Sequence, residues 1–178
     1  MKAIIINKRV WIIKLLLITG FGLLSYCSFA QGDPTDTIPG DPGGLSAYTV
    51  QNMSFGAFST GTTGGTVIVS TNGTRAVTGD VVPLNLGTQY FQAIFDIDAP
   101  IGSIISLLNG SDATLTGSNG GSMSMHIGGS DPPSPFITIV SQPTRTQVSI
   151  AGTLTVGSPA ANPPGAYNGT FYITFNQE

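Results

Sequence analysis

From residue 45 onwards apolar and polar side chains alternate with a period of two, the pattern of strands that bury one face and wet the other. Three segments carry it most clearly. Over 90–98, Phe91, Ala93, Phe95 and Ile97 share a face. Over 147–156, Val148, Ile150, Leu154 and Val156 oppose Gln147, Ser149, Thr153 and Thr155. Over 167–176, Tyr167, Phe171, Ile173 and Phe175 point one way, and Asn168, Thr170, Tyr172, Thr174 and Asn176 the other. Residues 122–127 repeat the theme with Met123, Met125 and Ile127, and shorter candidates cover 48–55, 66–71, 75–78, 103–108, 113–116 and 136–141. The punctuation agrees. Asn72-Gly73 and Asn109-Gly110 each separate two such runs and predict tight primed hairpin turns. Asn119-Gly120-Gly121 and Asp131-Pro132-Pro133 mark further turns, as do the glycine clusters at 61–65 and 128–129. Asn168-Gly169 interrupts an alternating run and reads as a bulge or kink. The pattern predicts an all-β fold over 45–178, an antiparallel β-sandwich, with a closed β-barrel as the alternative. Its expected core is Phe91, Phe95, Phe136, Phe171, Ile173, Phe175, Val148, Ile150 and Leu154.

The first thirty residues follow another logic. Lys2, Lys8, Arg9 and Lys14 precede a short apolar run over 15–24, and Ser28-Phe29-Ala30 places small residues at −3 and −1 of a cut after Ala30. These are the parts of a secretion signal, and Lys14 prevents the run from reaching the roughly 20 apolar residues of a spanning helix. No stable membrane span is expected once the signal is cut. The chain is therefore expected to be exported, to the cell surface or beyond. The alternative is periplasmic or lipid-anchored through Cys27, in Leu24-Ser25-Tyr26-Cys27, where Tyr26 occupies a position that lipid-attachment boxes keep small. Residues 31–44, with Pro34, Pro39, Pro42, three Asp and four Gly, cannot build a core and read as a solvated tether.

Cutting after Ala30 changes the charge arithmetic. The remaining 148 residues hold two basic residues, Arg75 and Arg145, and nine acidic ones, hence a formal charge of −7. They contain no Lys, Cys or Trp. Two separated arginines make no nucleic-acid groove, so no nucleic-acid partner is expected. Thiol catalysis, disulfides and cysteine-zinc sites are excluded in the mature chain.

Candidate chemistry is sparse. His126, the one histidine, falls on the face of Ser122 and Ser124, opposite Met123, Met125 and Ile127, and is expected at the surface. A His–Asp–Ser set from His126 with Asp96 or Asp98 lacks a nucleophile elbow and an oxyanion loop. Asp96 and Asp98, about 7 Å apart on one strand face from the strand rise, suit solvated edge charge better than a calcium contact. The glycine clusters are followed by neither Gly-Lys-Ser/Thr nor a helix, so they make no phosphate loop. Tyr90 and Tyr172 lie on outward faces, where a flat ring can stack on a sugar or pack across strands. No catalytic residue, metal or cofactor is assigned.

The order of Ser-Phe-Gly-Ala-Phe (54–58), Gly-Gly-Thr-Val-Ile-Val (64–69), Thr-Gly-Asp (78–80), Phe-Asp-Ile (95–97), Gly-Thr-Leu-Thr-Val-Gly (152–157) and Gly-Ala-Tyr-Asn-Gly-Thr-Phe-Tyr-Ile-Thr-Phe (165–175) resembles a family of secreted bacterial domains of unknown function allied to the common-pilus (Mat/Ecp-type) fimbrillins. The resemblance covers 45–178. It implies an immunoglobulin-like sandwich at the cell surface with a structural or adhesive role, and no catalytic residues. The chain departs from chaperone-assembled subunits in the prolines of 31–44, since proline cannot donate to a ladder. The expectation is a non-enzymatic surface protein that associates with itself or with other surface proteins. A secreted ligand-binding module, with a glycan as partner, is the alternative.

Overall fold

The computed structural model describes residues 2–5 and 44–178, apart from residue 141. The signal cleavage site after Ala30, Cys27 and nearly all of the 31–44 tether lie outside the described residues. The strands in chain order are β1 (Lys2–Ile5), β2 (Ser46–Gln51), β3 (Ser54–Phe55), β4 (Phe58–Val69), β5 (Arg75–Pro83), β6 (Tyr90–Phe91), β7 (Ala93–Asp98), β8 (Ile104–Asn109), β9 (Ala113–Gly117), β10 (Ser122–Asp131), β11 (Phe136–Ile137), β12 (Thr146–Val156), β13 (Tyr167–Asn168) and β14 (Thr170–Gln177). No helix occurs among the described residues, and hence none long and apolar enough to cross a membrane.

The larger sheet runs β13-β9-β10-β12-β4-β5. It forks at β12. On one edge of that strand Thr146–Ile150 pair with β7, whose far edge carries β2, and Gly152–Val156 pair with β4. The smaller sheet runs β1-β14-β8-β11. Every pairing is antiparallel except that of β1, which lies parallel to Thr170–Ile173. Four residues of the expected leader, Lys2–Ile5, thus occupy an edge of the smaller sheet. The result is the expected antiparallel all-β sandwich, with the larger sheet curled part-way towards a barrel.

One continuous core fills the space between the sheets. Phe95 of the larger sheet meets Phe175 of the smaller edge to face, with centroids 5.6 Å apart and planes at 62°. Phe171, Ile173, Val148, Ile150, Leu154 and Phe136 are buried as the alternation predicts. With so few charged pairs available, burial of these side chains supplies most of the stability, at roughly 1.5–3 kcal/mol for each large one.

Four expectations change. Phe91 is 38% exposed rather than in the core. The run 90–98 breaks at Gln92, and its first two residues leave β7 to pair with Ser54–Phe55. Asn109-Gly110 makes no hairpin, because β8 belongs to the smaller sheet and β9 to the larger. It is a corner between sheets, where Asn109 Nδ2 donates to the carbonyls of Ile127 and Gly128 and Gly110 N–H to that of Tyr172. Asn72-Gly73 does close the β4–β5 hairpin, but not as a two-residue turn. Gly73 N–H donates to Ser70, Ser70 N–H donates to Thr74, and Gly73 sits at φ 78°, the geometry of a three-residue loop. The glycine clusters are not turns. Residues 61–65 lie inside β4 and 128–129 inside β10, at register shifts between Thr60 and Gly65 and between Ile127 and Ser130, so both are bulges in long strands.

The expected kink at Asn168-Gly169 is a change of sheet. Tyr167–Asn168 pair with β9 in the larger sheet, and from Thr170 the chain continues in the smaller one. A side chain at Gly169 would meet the carbonyl oxygen of Thr114 and the Cα of Leu115, so the crossing needs a residue without one.

Candidate functional site

Both arginines of the described residues stand at the start of a strand. Arg75 opens β5 directly after the hairpin loop, and Arg145 immediately precedes β12. Each guanidinium lies over a tyrosine ring. That of Arg75 is 4.5 Å from the centroid of Tyr90, and that of Arg145 is 4.2 Å from that of Tyr48.

Arg75 is held from two sides. Its Nη1 donates to the carbonyls of Phe55 and Ala57, each at 3.1 Å. The close approach depends on Gly56, where a Cβ would come within 2.7 Å of Nη1. Tyr90 reaches the same place because β6 pairs with β3, putting Tyr90 opposite Phe55. Ser54 Oγ donates to Gln89 O at 2.8 Å, and Leu84 N–H to Ala57 O at 3.0 Å, which ties the 84–90 loop to this platform. Within the 83–90 segment, closed on one side by Arg75, lies an open groove of about 330 Å³, lined by Arg75, Leu84, Asn85, Thr88, Gln89 and Tyr90. Among the described residues no carboxylate lies within 4.0 Å of the Arg75 guanidinium.

Arg145 belongs to a closed cluster instead. Its Nε lies 4.0 Å from Asp98 Oδ2, which also accepts a hydrogen bond from Gln142 Nε2. Asp98 is only 8% exposed, so it is not the solvated edge charge expected of it. The segment just before β12 folds over the end of β7 and covers it. Asp96 is half-buried beside Tyr48 and Gln147, its neighbours across β2 and β12. Among the described residues no group of three His, Asp or Glu side chains is placed to hold a metal.

His126 stands in the open as expected, while Met123, Met125 and Ile127 face the core. Its Nδ1 lies 2.8 Å from Asp112 Oδ1, with both side chains more than half exposed. The partner is therefore Asp112, not Asp96 or Asp98, and among the described residues no serine hydroxyl is bonded to the imidazole.

The two candidate stacking residues are both exposed, and they lie in different sheets. Tyr90 belongs to the Arg75 groove, and Tyr172 to the outer face of the smaller sheet. That outer face carries an apolar row that the alternation did not announce. Ile104 and Ile137 are cross-strand neighbours at 44% and 59% exposure, Leu108 is 63% exposed and Ile139, just past β11, 79%. Their alternates Ile105, Phe136 and Thr138 are buried.

Sequence reasoning passed over Arg75, Tyr48 and Arg145 as site residues. The signal that was present is scarcity. The residues after Ala30 hold two cations, and each stands at the head of an alternating segment, where its long side chain can fold back over a neighbouring strand.

No curated protein and no solved structure matches this chain. One family model, described as Domain of unknown function (DUF4402), matches residues 45–176, every strand of the sandwich but β1. The chain belongs to the DUF4402 family, a family of unknown function.

Proposed function

We propose that this protein is an exported, non-enzymatic structural or adhesive protein of the cell surface, similar to the fimbrillins of the common-pilus (Mat/Ecp) type. The observation that carries this reading is the apolar row on the outer face of the smaller sheet, Ile104, Leu108, Ile137, Ile139 and Tyr172. Ile104 and Ile137 are cross-strand neighbours at one end of this face, Leu108 and Tyr172 lie beyond Ser106 and Asn176, and exposed apolar area of this kind marks a protein–protein contact. The Thr- and Ser-rich strand faces and the leader agree with a protein built to stand outside the cell. The test is electron microscopy of the native cell surface with an epitope-tagged copy, together with sedimentation of the purified protein. The expected result is label on filaments or on the outer envelope, and reversible self-association. Label confined to the cell interior, or a protein that stays monomeric at high concentration and is missing from surface material, overturns it.

A second reading, a secreted glycan-binding module, is favoured by one specific observation, the open groove that brings Arg75 and Tyr90 together. Its test is a glycan array probed with the purified protein and with Tyr90→Ala and Tyr172→Ala. Binding lost in one of the two variants supports it, and binding unchanged in both removes ring stacking as the mode of recognition.

A further inference from the structure

Resting on the glycan-binding reading, we infer that the Arg75 groove recognises the carboxylate of a single acidic sugar, a sialic acid or hexuronate, that caps an otherwise neutral glycan. The argument begins with charge. Residues 44–178 contain six acidic groups and two arginines. Arg145 has its carboxylate in Asp98, and the imidazole of His126 has Asp112. Arg75, half-buried, has none among the described residues. Its Nη1 is committed to two carbonyls, whereas Nε and Nη2 donate to no described residue. A guanidinium carries its donors in a planar fork that matches a carboxylate edge with two parallel hydrogen bonds. Here the fork is already oriented by the Phe55 and Ala57 carbonyls and by the Tyr90 ring, so little rotamer freedom is left to lose on binding.

The rest of the lining fits a sugar. Asn85, Thr88 and Gln89 offer amide and hydroxyl groups that both donate and accept, as ring hydroxyls require. Tyr90, 39% exposed, adds an apolar body with a polar tip. No acid lines the groove, so a bound carboxylate meets no like charge. The volume of about 330 Å³ lies at the small end of the roughly 300–1,000 Å³ of ligand clefts, which suits one or two rings. Two alternatives fit less well. The carboxyl end of a peptide needs a pocket for its last side chain, and Leu84 is the one aliphatic residue larger than proline in the lining. A polyanion would be repelled by the formal charge of −7 that the chain carries after residue 30. One isolated acidic group is what one uncompensated cation can hold.

The test is titration of the purified protein with 3′-sialyllactose, glucuronyl-capped lactose and lactose, followed by calorimetry or amide chemical shifts, after a glycan array has surveyed neutral and acidic structures. At least one acidic trisaccharide is expected to bind about tenfold or more tighter than lactose, and added salt to weaken it. Arg75→Lys, which keeps the charge and loses the fork, is expected to cost about tenfold in affinity. Asn85→Ala, an exposed loop change that spares the main-chain clamp, is expected to weaken binding at unchanged melting temperature, so a folding defect at position 75 does not decide the outcome. Acidic and neutral ligands that bind alike, or binding that survives Arg75→Lys and Asn85→Ala but not Tyr172→Ala, overturn the groove and leave the glycan-binding reading standing. An array with nothing bound overturns both.

Discussion

At the scale of single residues, the alternation gives a quantitative expectation. Phe171 is 1% exposed and lies where β14 begins, with its ring in the shared core. Phe171→Ala removes that ring and leaves a cavity that a two-sheet core can only partly close, so it should cost about 3–5 kcal/mol in urea unfolding. A loss below about 1 kcal/mol would mean that this face of β14 is not a core face. Asp80 illustrates a different residue-level effect. Its Oδ2 accepts from the Thr63 hydroxyl at 2.6 Å and from the Thr63 amide at 3.0 Å, and these bonds, the hydroxyl first, hold its carboxyl below the usual carboxylate range. Because the folded value is the lower one, the stabilising contribution is present above the ordinary carboxylate range and is lost as pH falls through the folded value. Thr63→Val removes the hydroxyl and keeps the amide. The Asp80 titration midpoint, followed by carboxyl carbon chemical shift, should rise part of the way to the ordinary value. An unmoved midpoint would exclude the hydroxyl as the cause.

At the scale of elements, the informative position is the one where the chain changes sheets. Gly169 separates β13, which hangs on β9, from β14, which runs beside β8. Gly169→Ala forces a methyl against the Thr114 carbonyl and the Leu115 main chain, neither of which can swing aside as a side-chain tip would. It should cost about 1–3 kcal/mol, and hydrogen exchange should quicken first at amides of β9 and β13, while β12 stays protected. Equal loss of protection in all strands would mean that the crossing is not a local joint. The same joint shows what the sequence could and could not disclose. Period-two runs such as 122–127, 147–156 and the 171–175 part of 167–176 were readable because one face of each meets the core along its whole length. The kink at Gly169 was readable as a break, but its meaning lay in which sheet each half joins. Phe91 misled because its alternation continues that of Phe95 and Ile97, while its actual neighbour, Ser54, is 37 residues away in the chain. Asn109-Gly110 misled for the same reason, since a turn signal does not say whether the strands on either side will pair. Asn162 carried no local signal at all. It is 6% exposed and clamps the loop after β12, accepting from Gly157 N–H and donating to the carbonyls of Ser122 and Ala161.

At the scale of the whole molecule, the two sheets present unlike surfaces to solvent. The larger sheet exposes Thr66, Thr78, Thr114, Ser124 and His126 on its inner strands and in hydroxyl pairs such as Thr66–Thr78 at 2.7 Å, with Tyr48, Val50 and Val82 exposed on its edge strands β2 and β5. The outer face of the smaller sheet carries the row of Ile104, Leu108, Ile137, Ile139 and Tyr172. Burying four such aliphatic side chains in a contact is worth several kcal/mol, at about 25 cal/mol per Å² of apolar area, before the cost of association is met. The self-association proposed above draws on this contribution. Leu108→Lys places a charge on β8 at one end of the row, and Ile139→Asp places one past β11 at the other. Neither side chain touches the core, so each should change unfolding free energy by no more than about 0.5 kcal/mol. If the row is the contact, each substitution should weaken self-association in sedimentation velocity by about tenfold or more. His126→Ala, on the opposite sheet, should leave it intact. Association that persists in Leu108→Lys at wild-type strength would move the contact elsewhere, and the natural place to look next would be the edge of β14 that Lys2–Ile5 occupies and that cleavage after Ala30 would leave open.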